Sequence, residues 1–231
     1  MKNIYTLLLL AVFAALTACD DDYGTRVIDV AYDTLPFEYI RLETSSDVRI
    51  IQAGYFQVIV TGEERDVYDT HVFADQGQLI IEEHGHTHGN TVIKIYVPEF
   101  SQLESLGSSY VYGESQFQQN GAMDFFLDGS GDIDMYVDVD NLDVLVSGSG
   151  SMYLEGFVDN GDFNITGSGW INAFNINADF CDVRISGSGS AEVNVDDDLD
   201  VVISGSGDVL YKGHPNISSQ ISGSGKLIDA N

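Results

Sequence analysis

Apolar and polar residues alternate along the second half of the chain. Within residues 142–154, apolar residues and glycines take every second position, and polar residues take most of the positions between them. The same phase returns in residues 163–173, 181–195 and 199–211. Because successive side chains of a strand point to opposite sides, this period of two predicts β-strands with one buried side. Cys181 falls on the apolar phase, so we expect it in the core.

A Gly-Ser-Gly tripeptide returns at a nearly constant spacing in the same region. Its copies begin at residues 129, 148, 167, 187, 205 and 223, at steps of 19, 19, 20, 18 and 18 residues, and Gly107-Ser108-Ser109 resembles an earlier, degenerate copy. A period of this length is typical of a solenoid, whose repeats bury their apolar sides against one another. Two inward glycines in each copy indicate a corner at which a Cβ atom would collide. We expect the serines between them to stack as a structural column.

These patterns predict an all-β fold, a single-stranded right-handed parallel β-helix with coils of 18–22 residues. The right hand follows from the handedness of crossovers between parallel strands, and a left-handed prism is the alternative. Residues 36–106 lack the repeat, and we expect their strands to form an antiparallel or irregular N-terminal capping layer over the first coil. The last coil has no such cover, so it is either blunted by its charges or used as a contact surface. The strands of the capping layer are predicted at 37–42, 48–51, 56–60, 79–81 and 91–97.

The charge balance excludes one class of partner. The chain of 231 residues carries 37 acidic and 9 basic side chains, for a formal net charge of -28. Binding to a phosphate backbone requires a surface rich in lysine and arginine, so we exclude nucleic acid as a partner. A hydrophobic content of 44% is too high for a disordered acidic chain, so we expect a folded domain over residues 36–231.

The N-terminus has the pattern of a processing signal. Lys2 precedes an apolar run at 4–16, which is shorter than the roughly 20 residues that a membrane-spanning helix needs. The run ends in Leu16-Thr17-Ala18-Cys19, which resembles the bacterial lipobox. This resemblance implies a lipoprotein signal peptide over 1–18 and a mature chain whose Cys19 carries acyl chains such as palmitate, which hold it to a membrane. An ordinary secretory signal, cleaved near Ala18, is the alternative.

The residues after Cys19 predict where in the envelope the protein lies. Residues 19–35 are interpreted as the lipidated cysteine and an acidic tether, and Asp20, Asp21 and Asp22 resemble the surface-export signal of Bacteroidetes lipoproteins. The resemblance implies an outer-membrane lipoprotein that is exposed at the cell surface. A periplasm-facing protein whose aspartates only solvate the tether is the alternative.

Two groups of residues have the composition of a metal site. His84, His86 and His88 alternate, so on an extended strand their imidazoles would point to one side and could share a zinc or copper ion. A solvated hairpin loop is the competing interpretation, because glycines interrupt the segment. Aspartate oxygens suit calcium, but solvated outer faces explain most of these acids, so we assign neither zinc nor calcium as a cofactor. The candidate calcium ligands are Asp132, Asp134, Asp138, Asp140, Asp143 and Asp196 to Asp198.

Outward-facing aromatic residues are the candidate binding residues. Phe126, Tyr136, Tyr153 and Trp170 fall on the outward phase, and rings on a flat sheet can stack on a glycan or contact a surface protein. Loops that cover these rings are the alternative. A β-helix enzyme that cleaves acidic polysaccharides needs basic residues beside its carboxylates, and after residue 100 only Arg184, Lys212 and Lys226 are present. We therefore predict no catalytic residue, with a hydrolase of neutral glycans or a structural, metal-binding envelope protein as alternatives.

The order of motifs along the chain resembles one known family. The Gly-Ser-Gly coils follow the segments FEYIRL, DVRIIQAGYFQVIVTG, GQLIIEE, VIKIYVP and LESLGSSYVYGE, as in the auto-transporter adhesin, head GIN domain family of Bacteroidetes lipoproteins. The resemblance extends over about residues 37–226. It implies a single-stranded right-handed β-helix, a location in the cell envelope and an adhesin-like role. The family defines no catalytic or ligand-binding residues that would transfer to this chain.

Overall fold

The computed structural model describes residues 26–84 and 91–231, and strands make up most of these residues. The first part of the chain forms β1 (Val27–Asp33), β2 (Phe37–Glu43), β3 (Asp47–Gln52), β4 (Gln57–Glu63), α1 (Glu64–Asp69), β5 (Thr70–Asp75), β6 (Gly77–Glu83), β7 (Val92–Val97), β8 (Gln102–Ser105) and β9 (Tyr110–Gln118). The second part forms β10 (Ala122–Leu127), β11 (Asp132–Val146), β12 (Ser151–Ile165), β13 (Trp170–Gly187), β14 (Ser190–Gly205), β15 (Val209–Gly213), β16 (Asn216–Gly223) and β17 (Leu227–Asp229).

The long strands stack in parallel, one coil upon the next. β11 pairs with β12 along its whole length, from Asp132 beside Ser151 to Val146 beside Ile165. β12 pairs with β13, and β13 with β14, in the same direction. The offset between paired residues equals the spacing of the Gly-Ser-Gly repeat. The repeat therefore forms the predicted parallel β-solenoid, which has about 7 turns.

Each coil contributes two strand segments that meet at a corner. The segments before the corner stack into a first wall, formed by β6, β2, β8, β10, the later halves of β11 to β14, and β16. The segments after the corner stack into a second wall, formed by β7, β3, β9, the earlier halves of β11 to β14, β15 and β17. The apolar phase of both walls points inward and forms one core. Cys181 is buried in this core, as predicted, and burial raises the pKa of its thiol.

The corner glycines are required by the coil beneath them. A Cβ atom on Gly148 would overlap the carbonyl oxygen of Gly129, and one on Gly150 would overlap that of Gly131. Between these glycines, the Ser149 N–H donates to the Gly129 carbonyl at 2.9 Å. The predicted corner is confirmed, and the obstacle to a side chain is the backbone of the preceding coil.

The corner serines form a column on the outside of the solenoid. The Oγ atoms of Ser130 and Ser149 lie 3.4 Å apart, and those of Ser206 and Ser224 lie 3.1 Å apart. Hydroxyl groups both donate and accept, so these contacts link successive coils in addition to the backbone ladder. This arrangement agrees with the structural column expected from the sequence.

The N-terminal strands are only in part an antiparallel cap. β1, β4 and β7 are antiparallel neighbours, as are β5 and β6. β2 and β3, by contrast, run parallel to β8 and β9, with Ile40 beside Leu103 and Val48 beside Val111. Their apolar residues occupy the same inward phase as those of the later coils. Along the chain the solenoid therefore begins with β2, inside the region predicted as a capping layer, and β6 and β7 stack in parallel on the other edges of β2 and β3.

The first coil turns without a Gly-Ser-Gly tripeptide. Between β2 and β3 the corner consists of Thr44, Ser45 and Ser46, and Ser46 N–H donates to the Thr44 Oγ1 atom at 2.9 Å. The Ser45 N–H donates to a Glu83 carboxylate oxygen at 2.9 Å. Gly107, at the corner of the next coil, stacks on Thr44. Polar side chains thus form here the corner that glycines form later, which is why the repeat is not visible before Gly107.

Strand β1 lies within the segment predicted to be a tether. It pairs antiparallel with β4, with Val30 beside Val60, so regular structure extends into residues 19–35. Helix α1, between β4 and β5, is a second element that the sequence pattern does not predict. Within the described ranges, no helix has the length and apolar content that crossing a membrane requires.

Candidate binding face

Three of the four predicted binding residues share the outer surface of the second wall. Tyr136, Tyr153 and Trp170 are half-buried there, between inward-facing apolar neighbours. The rings of Tyr153 and Trp170 meet edge to face, with centroids 5.8 Å apart. Phe126 lies on the outer surface of the first wall, beside Leu145 of the next coil. The Gly-Ser-Gly corner therefore separates Phe126 from the other three.

Two tyrosines other than the predicted binding residues extend this surface. Tyr110 and Tyr112 of β9 are each 42% exposed, and their rings stack with centroids 6.4 Å apart. Tyr112 lies beside Asp134 in the stacked register, and Asp134 lies beside Tyr153, so these side chains form one outward column. The sequence contains a signal for these two residues, because Tyr110 and Tyr112 flank the inward Val111 and therefore fall on the outward phase of the degenerate coil.

Further rings continue the surface at both ends. Towards the N-terminus, Tyr55 stacks on Tyr96 of β7 with centroids 5.5 Å apart. Towards the C-terminus, the Lys212 ammonium lies 4.1 Å from the ring centroid of Phe174. We call the outer surface of the second wall the aromatic face. Its rings belong to Tyr55, Tyr96, Tyr110, Tyr112, Tyr136, Tyr153, Trp170 and Phe174.

Charged groups lie beside the rings on the aromatic face. Arg49 forms an ion pair with Glu114 at 2.8 Å, and this hydrogen bond raises the pKa of the guanidinium. A depression of about 290 Å³ lies between Arg49 and the two tyrosines Tyr110 and Tyr112. The Tyr110 hydroxyl donates to an Asp134 carboxylate oxygen at 3.2 Å. Partial burial and this carboxylate raise the pKa of Tyr110, so it remains a neutral hydrogen-bonding group. Flat apolar rings with donors and acceptors beside them are suited to binding sugar rings.

The first wall presents a column of carboxylates instead of rings. Its members occupy the same position in five successive coils, and we call them the acidic ladder: Asp124, Asp143, Asp162, Asp182 and Asp200. Burial raises the pKa of Asp124, and burial together with the charges of Asp124 and Asp162 raises the pKa of Asp143. Arg184 donates to Asp162 at 2.9 Å and to Asp182 at 3.1 Å, so it neutralises part of the ladder. The two walls thus differ in chemistry, one acidic and one aromatic.

A groove of about 630 Å³ runs beside the acidic ladder. Asp143, Asp162 and Asp200 line it together with the exposed ring of Phe180. The carboxyl groups in this groove differ in environment, because Asp162 is paired with Arg184 whereas the charges that act on Asp143 are those of the carboxylates Asp124 and Asp162. Enzymes that cleave glycans use two carboxyl groups in unequal environments, one as the general acid and the other as the base or nucleophile.

The predicted metal ligands are placed as follows. His84 lies 3.5 Å from a Glu82 carboxylate oxygen, and its ring lies 4.6 Å from that of His71. His86 and His88 lie outside the described residues, so the zinc site stays a prediction. Among residues 26–84 and 91–231, no group of three or more histidine, cysteine, aspartate or glutamate side chains has an arrangement that could hold a metal ion.

Some of the candidate calcium ligands bind backbone groups instead. Asp132 accepts a hydrogen bond from the Ser151 N–H at 3.0 Å, and Asp140 accepts one from the Gly121 N–H at 2.8 Å. These carboxylates link one coil to the next, which accounts for acidic residues at these positions without a metal. Cys19, the predicted lipidation site, lies outside the described residues.

Comparison with known proteins agrees with this fold. The sequence matches the family described as "Putative auto-transporter adhesin, head GIN domain" over residues 36–215. None of the curated proteins matches the sequence. Among solved structures, the chain is similar to a "putative adhesin" from Bacteroides fragilis NCTC 9343, with a TM-score of 0.85 and 22% identity, covering 89% of this chain and 98% of that chain.

Two further solved structures have the same fold. A "putative lipid binding protein" from Parabacteroides distasonis ATCC 8503 has a TM-score of 0.73 and 24% identity, covering 90% of this chain and 98% of that chain. A "putative adhesin" from Parabacteroides merdae ATCC 43184 has a TM-score of 0.65 and 19% identity, covering 89% of this chain and 97% of that chain. At these identities the structures show a shared fold. The family match covers most of the chain, and the protein therefore belongs to the auto-transporter adhesin, head GIN domain family.

Proposed function

We propose that this protein is a lipid-anchored envelope protein whose β-solenoid presents the aromatic face to an extracellular ligand and catalyses no reaction. The observation that carries the proposal is the row of partly exposed rings along a single wall. The lipobox-like sequence at Cys19 supports the anchor, which holds the mature chain at the outer membrane with the solenoid outside the cell. Membership of an adhesin family supports a binding role.

A glycan is the ligand class that the aromatic face fits best. Coils stack about 4.8 Å apart, so Tyr112 and Tyr153, which lie two coils apart in one column, present rings at a fixed separation of about 10 Å. Sugar rings stack on such aromatic surfaces, and their hydroxyls require donors and acceptors. Arg49 and Asp134 provide these groups next to Tyr110 and Tyr112.

The overall charge restricts the ligand further. With a net charge of -28, the protein repels polyanions, and the repulsion acts over about 10 Å at 0.1 M salt. We therefore propose a neutral glycan, and expect anionic polymers to bind weakly at low salt and better when divalent cations are added. A surface protein is the other ligand class that a flat aromatic surface can serve.

Ligand arrays test the binding role directly. We expect the chain from Asp20 onward, which retains all described residues, to bind a subset of neutral glycans saturably on an array of glycans and matrix proteins. The array is run with calcium and with a chelator, so that loss of binding with the chelator would point to the aspartate sites. A blank array would contradict the proposal and favour a structural role in the envelope. Labelling with radioactive palmitate, lost on Cys19→Ala, tests the anchor separately.

Replacement of single rings locates the binding surface. Trp170→Ala removes a ring that contacts Tyr153 on the aromatic face, and we expect about a tenfold or greater loss of affinity, since stacking on one ring contributes on the order of 1 kcal/mol or more. Phe126→Ala is the matched control, because Phe126 lies on the first wall and its loss should leave binding unchanged. If Phe126→Ala weakens binding and Trp170→Ala does not, the ligand binds the first wall.

A glycan-acting enzyme is the second candidate function. The observation in its favour is the groove beside the acidic ladder, where the raised pKa of Asp143 suits a general acid and Asp162 is held by Arg184. Incubation of array-positive glycans with the protein, followed by measurement of released reducing ends, decides between the two functions. Release that is lost on Asp143→Asn would establish the enzyme, and intact glycans would support binding alone.

A further inference from the structure

The C-terminal coil leaves one end of the core uncovered. β16 pairs with β14 and β17 pairs with β15, and among the described residues no other strand pairs with their outer edges. On β16, Ile217, Ser219 and Ile221 continue inward columns whose preceding members are buried: Leu199, Val201 and Ile203. Ile217 and Ile221 are nevertheless 42% exposed. The inward face of β16 is therefore an apolar surface next to an edge with free backbone hydrogen-bonding groups.

The charge of this coil differs from that of the rest of the molecule. Within residues 216–231 the only charged side chains are Lys226 and Asp229, which balance each other, whereas the whole chain carries a net charge of -28. The acidic ladder also ends before this coil, because Ser218 follows Asp200 in its column. Two copies of a strongly acidic protein repel each other least where their charge is lowest. Repulsion between two copies is therefore weak at this end of the described surface.

The sequence of β16 is complementary to itself in one antiparallel register. If two copies of β16 pair about a two-fold axis through Ser219, Ile217 of each copy lies opposite Ile221 of the other, on the inward side. Directly opposed residues share one face of an antiparallel pair, so both isoleucine pairs would cover the open core. A register centred on Ser218 would place Ile217 opposite Ser219. A register centred on Gln220 would place Ile217 opposite Gly223 and Ile221 opposite Ser219. Neither register pairs isoleucine with isoleucine.

We propose that the C-terminal coil is an interface between two copies of this chain, joined by antiparallel pairing of β16 about Ser219. The pairing is isologous, so it closes as a dimer and leaves no free edge on β16 for further copies. Each copy supplies two apolar residues and one strand edge to the contact. Because the N-terminal ends then point away from each other, the same contact can join copies on one membrane or on two facing membranes.

Disulfide cross-linking of the full chain in intact cells tests this interface. Ser219→Cys places one thiol of each copy on the two-fold axis, where opposed Cα atoms are about 4.5–5.5 Å apart, within the range of a disulfide. We expect a band of dimer mass on non-reducing gels after treatment with copper–phenanthroline. Ser149→Cys, an exposed position at a corner in the middle of the solenoid, is the matched control and should stay monomeric. The wild-type protein is treated in the same way and shows whether the native cysteines form cross-links. One of them, Cys181, is buried.

Charge substitutions on the Ser219→Cys background test the register. Ile217→Asp alone, or Ile221→Lys alone, should abolish the dimer band, because each places a charge opposite an isoleucine. The double variant Ile217→Asp, Ile221→Lys should restore the band, since each carboxylate then faces an ammonium group of the other copy. Both isoleucines are partly exposed, so circular dichroism spectra should be unchanged in all variants, and melting temperatures should agree when they are compared at a concentration at which wild type is monomeric. Equal cross-linking of Ser219→Cys and Ser149→Cys, a cross-link to a different protein, or a double variant weaker than the single variants would overturn the proposal.

Discussion

At the scale of single residues, the acidic ladder is a position where like charges are held close together. Paired residues of neighbouring coils place the carboxylates about 5 Å apart, and Arg184 neutralises only the pair Asp162 and Asp182. Asp143 lies between Asp124 and Asp162, and burial and these two charges raise its pKa above the ordinary value. The folded state therefore binds a proton at Asp143 more readily than the unfolded chain does.

The sign of the pH dependence follows from this shift. Because the folded-state pKa of Asp143 is raised, its contribution favours folding below the unfolded value of about 3.8 and is lost as pH rises through the folded pKa. We expect Asp143→Asn to raise the free energy of unfolding at pH 7 by about 0.5 kcal/mol, since like charges directly opposed on neighbouring strands destabilise by this order. At pH 3.5 the gain should shrink.

Urea unfolding at pH 7 and at pH 3.5 measures this difference. Asp128→Asn, at an exposed position outside the ladder, is the control and should change stability little at either pH. A variant Asp143→Asn that is less stable than wild type at pH 7 would mean that the carboxylate makes a favourable contact that outweighs the repulsion.

At the scale of the coil, the corner is the element that sets the stacking distance. The Gly148 backbone lies against the Gly129 carbonyl of the preceding coil, and no side chain fits between them. We expect Gly148→Ala to lower the free energy of unfolding by about 1–3 kcal/mol, the usual range for overpacking, because the added methyl group must push two coils apart. Thermal and urea unfolding measure the loss.

The control for this prediction is a glycine without a neighbour. A Cβ atom on Gly54, in the loop after β3, would meet nothing within 4 Å, so Gly54→Ala should change stability little. Equal effects of Gly148→Ala and Gly54→Ala would show that the corner adapts to a side chain and that coil spacing is not set there.

Corners also decide how much of this fold the sequence reveals. The period of two and the repeated tripeptide predict the coils after Gly107, because glycine is required wherever two backbones touch. The first coil escapes prediction because Thr44, Ser45 and Ser46 make its corner with side-chain hydrogen bonds, which leave no repeat to recognise. The separation of Phe126 from Trp170, by contrast, can be predicted from the sequence, because Phe126 precedes a Gly-Ser-Gly corner and Trp170 follows one.

The aromatic face can be predicted from the sequence only in part. Alternation identifies Tyr136 and Tyr153 as outward residues, but the column that joins Tyr112, Asp134 and Tyr153 arises from the stacking register of three coils. That register depends on the unequal lengths of the coils, which a single sequence shows only where the tripeptide marks them. The aromatic face is therefore a property of stacked coils rather than of a motif.

At the scale of the whole molecule, the solenoid is a linear array in which each coil contacts only its neighbours. Stability in such an array is a sum of coil and interface contributions, so a coil with one neighbour opens at a lower free energy than a coil with two. The described C-terminal coil, β16 with β17, contacts only the coil before it. Its strand β16 is exposed along its whole length, whereas the inward residues of β12 and β13 are buried.

Hydrogen exchange should show this order along the chain. In the variant Ile217→Asp, which cannot form the proposed dimer, we expect the amides of β16 and β17 to exchange fastest among the strands of the repeat, those of β14 and β15 more slowly, and those of β12 and β13 most slowly. In wild type at concentrations where the dimer forms, the amides of β16 should be protected, since its second edge is then paired. Mass spectrometry of peptides from both proteins measures the difference. If β16 exchanges as slowly as β12 in the monomeric variant, the solenoid opens as one cooperative unit, and the terminal coil is held by more than its single neighbour.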